Sequence, residues 1–248
     1  INGDWSSDVC SSDLFRSQYD GDATTFSPEG RILQVENAMK AVQQGMPTVA
    51  IRSEKYAVLG CLMHNPSEFS SYQPKIFKID DHIGVAISGL TADGRGLCKF
   101  LRSECINQRF TYGTEPRAIT LADIVADRSQ KKTQKYDKRP FGVGMLLVGA
   151  GPDGVRLFET CPSGQYWEYN AQAIGRRAQA AKTYLEKHLN DFKDCSRDDL
   201  IRHVLKALAD CRTKEEDDLK STAVGIVGID EPFVILEGED LRQYIDEQ

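Results

Sequence analysis

Apolar and polar positions follow two periods along this chain, and the switches between them lay out its elements. From 27 to 45 the apolar residues Ile32, Val35, Met39 and Val42 recur at three- and four-residue spacing, which predicts a helix with one face turned to a core. Ser27 and Pro28 stand where an N-cap and a first helical residue belong, because proline's missing N–H costs nothing there. Apolar and β-branched runs at 48–53 and 57–62, joined by Glu54-Lys55, predict a hairpin, and a second pair at 75–79 and 83–89 flanks the turn Asp80-Asp81-His82. Thr91 can then cap a helix reaching about 109, on which Leu97, Leu101 and Cys105 share a face, and Thr120 with Asp123 has the form of a capping box opening another. Residues 127–139 are polar and lysine-rich with no apolar period, and predict a long exposed loop. Strands resume at 141–148, turn through Gly151-Pro152-Asp153-Gly154, and return at 155–160 and 166–169. Helices at 174–189 and 196–211 follow, the second with Ser196 and Asp199 as a capping pair, then strands at 222–227 and 233–236 and a short helix from 239.

Strands here are joined by short turns, and helices come in groups between the strand groups. That order predicts an α+β layered sandwich of antiparallel sheets with helices outside, and argues against a doubly wound parallel sheet. No repeat or linker interrupts it, so one domain is expected over 15–248, with 46–248 as the sandwich. Residues 1–14 are Ser/Asp-rich and without period, lack the basic start and apolar run of a secretory signal, and are expected to be a foreign or disordered leader.

Composition narrows the function classes. With a formal net charge of −6 and a pI near 5.3, a general nucleic-acid surface is not expected. No stretch approaches the roughly 18 uninterrupted apolar residues of a membrane span. Seven scattered cysteines without a Cys-x-x-Cys pair predict neither a disulfide framework nor a zinc site, and point to a reducing compartment. His64, His82, His188 and His203 lack metal-ligand spacing. Gly142-Val143-Gly144 leads into strand rather than helix, so it is no phosphate loop; the glycines of 89–96 suit a tight strand-to-helix turn. No metal and no cofactor are expected.

Three blocks then carry a resemblance. Tyr19-Asp20, Phe26-Ser27-Pro28-Glu29-Gly30-Arg31 and Gln34-Val35-Glu36 stand at fixed spacing at the start; Ser88-Gly89-Leu90-Thr91-Ala92-Asp93-Gly94-Arg95 and Arg139-Pro140-Phe141-Gly142-Val143 follow in order. Together they resemble the alpha subunits of the 20S proteasome over 15–245. Residues 15–20, 160–163 and 183–186 resemble the type-1 branch of that family.

The resemblance implies a four-layer alpha-beta-beta-alpha sandwich of two antiparallel sheets, the N-terminal-nucleophile hydrolase fold. It further implies a non-catalytic member of a seven-membered alpha ring that docks on beta-ring subunits, gates the pore with its N-terminal tail (15–26 here), and receives regulatory particles in the cytoplasm and nucleus. Nucleic acid and membrane are not expected as partners. The alternative, a catalytic beta-type threonine peptidase, requires a free N-terminal threonine with a lysine and a carboxylate beside it. Here Met46 falls at the nucleophile position ahead of Thr48, Met63 near the carboxylate position, and only Lys75 has a counterpart. Tyr19, Asp20 and Pro28 match the family's gate residues, although Gly21 and Asn37 stand where the family usually has arginine and tyrosine. Gly45, Lys75 and Leu90 match the pocket that accepts regulators' C-terminal tails, with Lys75 facing the terminal carboxylate.

Overall fold

Hairpins build both sheets of the computed structural model, which describes residues 19–65, 67, 69–212 and 220–245. The expected leader 1–14 and the first residues of the expected tail, 15–18, lie outside them. In chain order the elements are α1 (Leu33–Gln44), β1 (Thr48–Arg52), β2 (Tyr56–Leu62), β3 (Ile76–Asp80), β4 (Ile83–Gly89), α2 (Thr91–Tyr112) and α3 (Ala118–Thr133). Then come β5 (Val143–Gly151), β6 (Gly154–Thr160), β7 (Tyr166–Glu168), β8 (Ala171–Ile174), α4 (Ala178–Lys187), α5 (Arg197–Ala209), β9 (Thr222–Gly228), β10 (Val234–Glu237) and α6 (Arg242–Ile245). The first sheet runs β10-β9-β2-β1-β8 and the second β3-β4-β5-β6-β7, every pair antiparallel.

Period-2 geometry explains the layers. On β1, Val49 and Ile51 pack toward α4 and α5 while Ala50 faces the other sheet; on β2, Val58 and Leu62 take the first side and Ala57, Leu59 and Cys61 the second. Sheet two does the same, with Val85 and Ile87 against α2 and α3 and Ala86 turned inward. Strands buried on both faces read as unbroken apolar runs, and the result is the expected α+β sandwich of four layers. Phe233, 2% exposed, fills the space between the sheets against Gly84 and Gly225; a Cβ at Gly84 would come within 1.9 Å of its ring.

Four expected boundaries shift. The helix expected over 27–45 begins at Leu33. Residues 27–30 form a turn in which Gly30 N–H donates to the Ser27 carbonyl at 2.9 Å, and Gly30 holds φ +76°, which no helix accommodates. Proline serves here as a turn residue. The buried face of α1 is Leu33, Ala38 and Val42, while Met39 is exposed. Helix α2 takes Thr91 as its first residue rather than its cap, since Leu90 stands at the N-cap, and it reaches Tyr112, closed by Gly113 in the left-handed region. Helix α3 starts at Ala118, so Thr120 and Asp123 lie inside its first turns rather than capping it, and it continues through Thr133, making the first half of the expected loop 127–139 helical, with Val125, Ala126 and Ser129 on its buried side. Finally, 171–174 pair with β1 as a strand (Thr48↔Ile174), and α4 begins only after Gly175 (φ +100°) and Arg177 (φ 55°) turn the chain. Ser196 caps α5 as expected, accepting from the Asp199 N–H at 3.3 Å.

Candidate functional site

The junction from β4 to α2 gathers the three expected pocket residues. Lys75, just ahead of β3, keeps its carbonyl in the ladder by accepting from Ile87 N–H at 3.0 Å, while its side chain runs inward, with the residue only 4% exposed. Its Nζ donates to Thr91 Oγ1 at 2.6 Å, and Thr91 Oγ1 lies 3.3 Å from Gln73 Oε1, to which it donates in turn. Among the described residues no carboxylate lies within ion-pair distance of this ammonium. Burial therefore holds the Lys75 pKa below the ordinary lysine value, and the neighbouring Cys61 thiol is itself pushed up to about 12 by burial.

Gly45 ends α1 and touches the same junction: a Cβ there would meet Gly89 N at 2.2 Å and Ser88 Oγ at 2.4 Å, so only glycine lets α1 approach this closely. Ser88 Oγ sits 3.1 and 3.0 Å from the Val42 and Met46 carbonyls, to which it donates, tying the end of α1 to β4. Leu90 is half exposed; its N–H donates to the Gly142 carbonyl at 2.8 Å and its side chain covers Gly142. Leu90 stands at the N-cap of α2 without a side-chain cap hydrogen bond, and the first turn of that helix meets Lys75 through Thr91.

Two residues that site reasoning passed over fix this junction. Asp93 receives both Arg139 guanidinium nitrogens, at 2.7 and 2.8 Å, and the Gly142 N–H at 3.0 Å. Arg139 first, then Gly142, holds the Asp93 carboxyl below the usual carboxylate range against the opposing effect of burial. The sequence held both residues in its family blocks, but 46 positions apart and with no spacing that announces a pair.

The expected gate residues lie elsewhere. The Asp20 carbonyl accepts from Gln34 Nε2 of α1, and among the described residues neither the Tyr19 hydroxyl nor the Asp20 carboxylate finds a side-chain partner. Pro28 is exposed on the 27–30 turn. The organiser of this segment is Asp22, which the sequence reading missed. Its carboxylate accepts from the N–H and hydroxyl of Thr24 (2.6 and 2.8 Å) and of Thr25 (both 2.9 Å), bonds that lower its pKa. An Asp followed two and three residues later by Thr is the local signal that was available.

At the positions of a threonine nucleophile the chemistry differs. Pro47 O accepts from Leu62 N–H at 3.1 Å, so the chain ahead of Thr48 is already part of the sheet. Thr48 is 1% exposed and its hydroxyl donates to the Ile87 carbonyl at 3.4 Å. Met46 packs toward the helices and Met63 between the sheets.

Comparison with known proteins decides the family. The family model described as "Proteasome subunit" matches residues 42–227, and the N-terminal signature of A-type proteasome subunits matches 19–41. This chain belongs to the proteasome alpha-subunit family. It is 48% identical to "Proteasome subunit alpha type-1" of Dictyostelium discoideum over 94% of both chains, and 47% identical to the protein of that description from Trypanosoma brucei rhodesiense, covering 94% of this chain and 88% of the relative. The Caenorhabditis elegans alpha type-1 protein is 41% identical over 94% of this chain and 90% of its own length. As a proteasome alpha subunit the chain assembles with other proteasome subunits, and its signature segment 19–41 spans Asp22, the 27–30 turn and most of α1.

Proposed function

We propose that this alpha subunit is a non-catalytic member of the seven-membered outer ring, docked on a beta ring, where it contributes to the substrate gate and receives regulatory particles during ubiquitin-dependent and ubiquitin-independent degradation in the cytoplasm and nucleus. The observation that carries the docking role is Lys75, a buried ammonium with one hydroxyl partner among the described residues, Thr91 in the first turn of α2, which half-exposed Leu90 precedes. A peptide's terminal carboxylate supplies the missing charge, by a charge-assisted contact worth roughly 1.5–3 kcal/mol. Gly45 lets α1 close against Gly89 and gives the junction its shape. The gate role rests on Tyr19, Asp20 and Pro28, whose free polar groups and turn leave the tail able to bond its neighbours. The non-catalytic role is supported by Met46 at the nucleophile position and Met63 near the carboxylate position, and by Thr48, which is held behind Pro47 inside the sheet.

One experiment tests the non-catalytic part directly. The native assembly is treated with a threonine-reactive inhibitor and the intact mass of this chain is measured. An unmodified chain retaining α1 is the expected result; a chain truncated at Thr48 and carrying the adduct overturns the proposal.

A further inference from the structure

Charge along 127–139 means something different once its first half is helix. Arg128, Lys131 and Lys132 share one side of the last turns of α3, and Lys135 follows just past the Gln134 C-cap. Six Lys and Arg against Asp127 and Asp137 give the segment a net charge of +4 inside a chain of −6. Cations in a last helical turn complement the helix dipole, which accounts for Lys131 and Lys132 alone. Several of these cations are held in place. Arg128 lies 4.0 Å from the Phe100 ring centroid, Lys132 5.3 Å from that of Phe141, and Arg139 is bound bidentate to Asp93. Lys131 and Lys135 are exposed and, among the described residues, have no carboxylate within ion-pair distance.

The stripe is continuous with the Lys75 site. Phe141, under Lys132, precedes Gly142, whose carbonyl accepts from Leu90 and whose N–H donates to Asp93. Arg139 grips the first turn of α2, where Thr91 receives Lys75. Arg95 and Lys99, exposed on α2, extend the same sign. Asp93, in the first turn of α2, is occupied by Arg139 and Gly142, and Asp137 is paired with Lys138 at 2.8 Å.

We infer that this stripe is the outer half of the Lys75 pocket and selects an acidic peptide: a tail whose terminal carboxylate sits at Lys75 and whose upstream Asp or Glu side chains lie along Lys131, Lys132 and Lys135. The inference rests on Lys75 being a carboxylate site. The occupant is a peptide rather than a nucleic acid for two reasons. Phe100 and Phe141 are only partly exposed and each already has a cation over its ring, and the acidic remainder of the chain repels a long polyanion. Exposed ion pairs are individually weak and screened by salt, so the stripe sets preference among tails by roughly three- to ten-fold.

Photo-crosslinking on the assembled particle tests this, with labelling of this chain quantified by mass spectrometry so that other subunits do not contribute. Three benzophenone-bearing peptides are compared: one with a Glu pair upstream of a free C-terminus, the same with a Gln pair, and the Glu peptide with an amidated C-terminus. At low salt the Glu peptide labels this chain several-fold more efficiently than the Gln peptide, and the difference vanishes in the K131E/K135E double variant and at high salt. Equal labelling by the Glu and Gln peptides on the unaltered particle overturns the stripe while leaving Lys75 intact. Equal labelling by the free and amidated peptides overturns the Lys75 reading instead, and absence of labelling by all three overturns both. Because the Glu–Gln comparison and the salt series use the unaltered particle, they decide the matter even if the double variant does not assemble.

Discussion

Replacing Lys75 by methionine separates a ligand-binding lysine from a structural one, because the two roles predict opposite signs. Methionine keeps the aliphatic stem and removes the ammonium. A lysine in a structural role would be missed by the fold. Here the side chain is buried with, among the described residues, only Thr91 Oγ1 as acceptor, and burial already disfavours its charge, so Lys75→Met leaves the fold as stable as before or more so. Tail binding moves the other way: losing a charge-assisted bond of about 1.5–3 kcal/mol weakens a free-carboxylate peptide by about 10- to 150-fold. The pH dependence follows from the direction of the Lys75 shift. Its folded pKa is below the ordinary 10.5, so between the two values the unfolded chain holds a proton that the folded chain has released, and wild-type stability rises with pH across that window. A bound carboxylate favours the charged form, so peptide affinity falls over the same window. The Met variant shows neither trend. Crosslinking of a free-carboxylate peptide to this chain, together with thermal unfolding from neutral pH toward pH 10.5, gives both signs. Affinity of the variant within about two-fold of wild type, or a stability loss above about 2 kcal/mol, refutes the reasoning.

Two further outcomes test the fold's physics. Phe233→Ala, which empties the space beside Gly84 and Gly225 between the sheets, costs about 3–5 kcal/mol in urea unfolding; a cost under about 1 kcal/mol means that Phe233 is not the inter-sheet plug its contacts describe. His203 Nδ1 shares a hydrogen bond with the Tyr184 hydroxyl (2.8 Å), with His188 and Phe192 rings 5.5 and 5.2 Å away, and burial first, then His188 and Lys206, lowers its pKa against the opposing pull of Asp191 and Asp199. The unfolded chain therefore takes up a proton near pH 6.5 that the folded chain refuses, stability falls as pH drops below 6.5, and His203→Gln flattens that slope in unfolding measured from pH 7.5 to 5.5. Equal slopes in the two proteins would contradict the assigned burial of the imidazole.

What the sequence determined by itself was what local pattern controls. Strands such as 57–62 and 83–89 and the long helix from Thr91 follow from side-chain periodicity, and the start of α5 from the Ser196 cap, signals that act over a few residues. The blocks around Tyr19, Ser88 and Arg139 carried the family. Elements whose identity depends on a distant partner were decided only in the tertiary structure. Residues 171–174 look equally apolar as strand or helix, and pairing with β1 settles them. Residues 127–133 look like a loop until Val125, Ala126 and Ser129 are seen buried on one side of a helix. Gly30 made a turn of a promising cap, because one positive φ outweighs the pattern around it. The site divides in the same way. Gly45, Lys75 and Leu90 were named from sequence, but their convergence on one junction, the Asp93–Arg139 clamp and the absence of a counter-charge at Lys75 among the described residues are products of folding. At this junction hydrogen bonding joins Asp93 to Gly142, 49 positions away, a distance over which no sequence period persists.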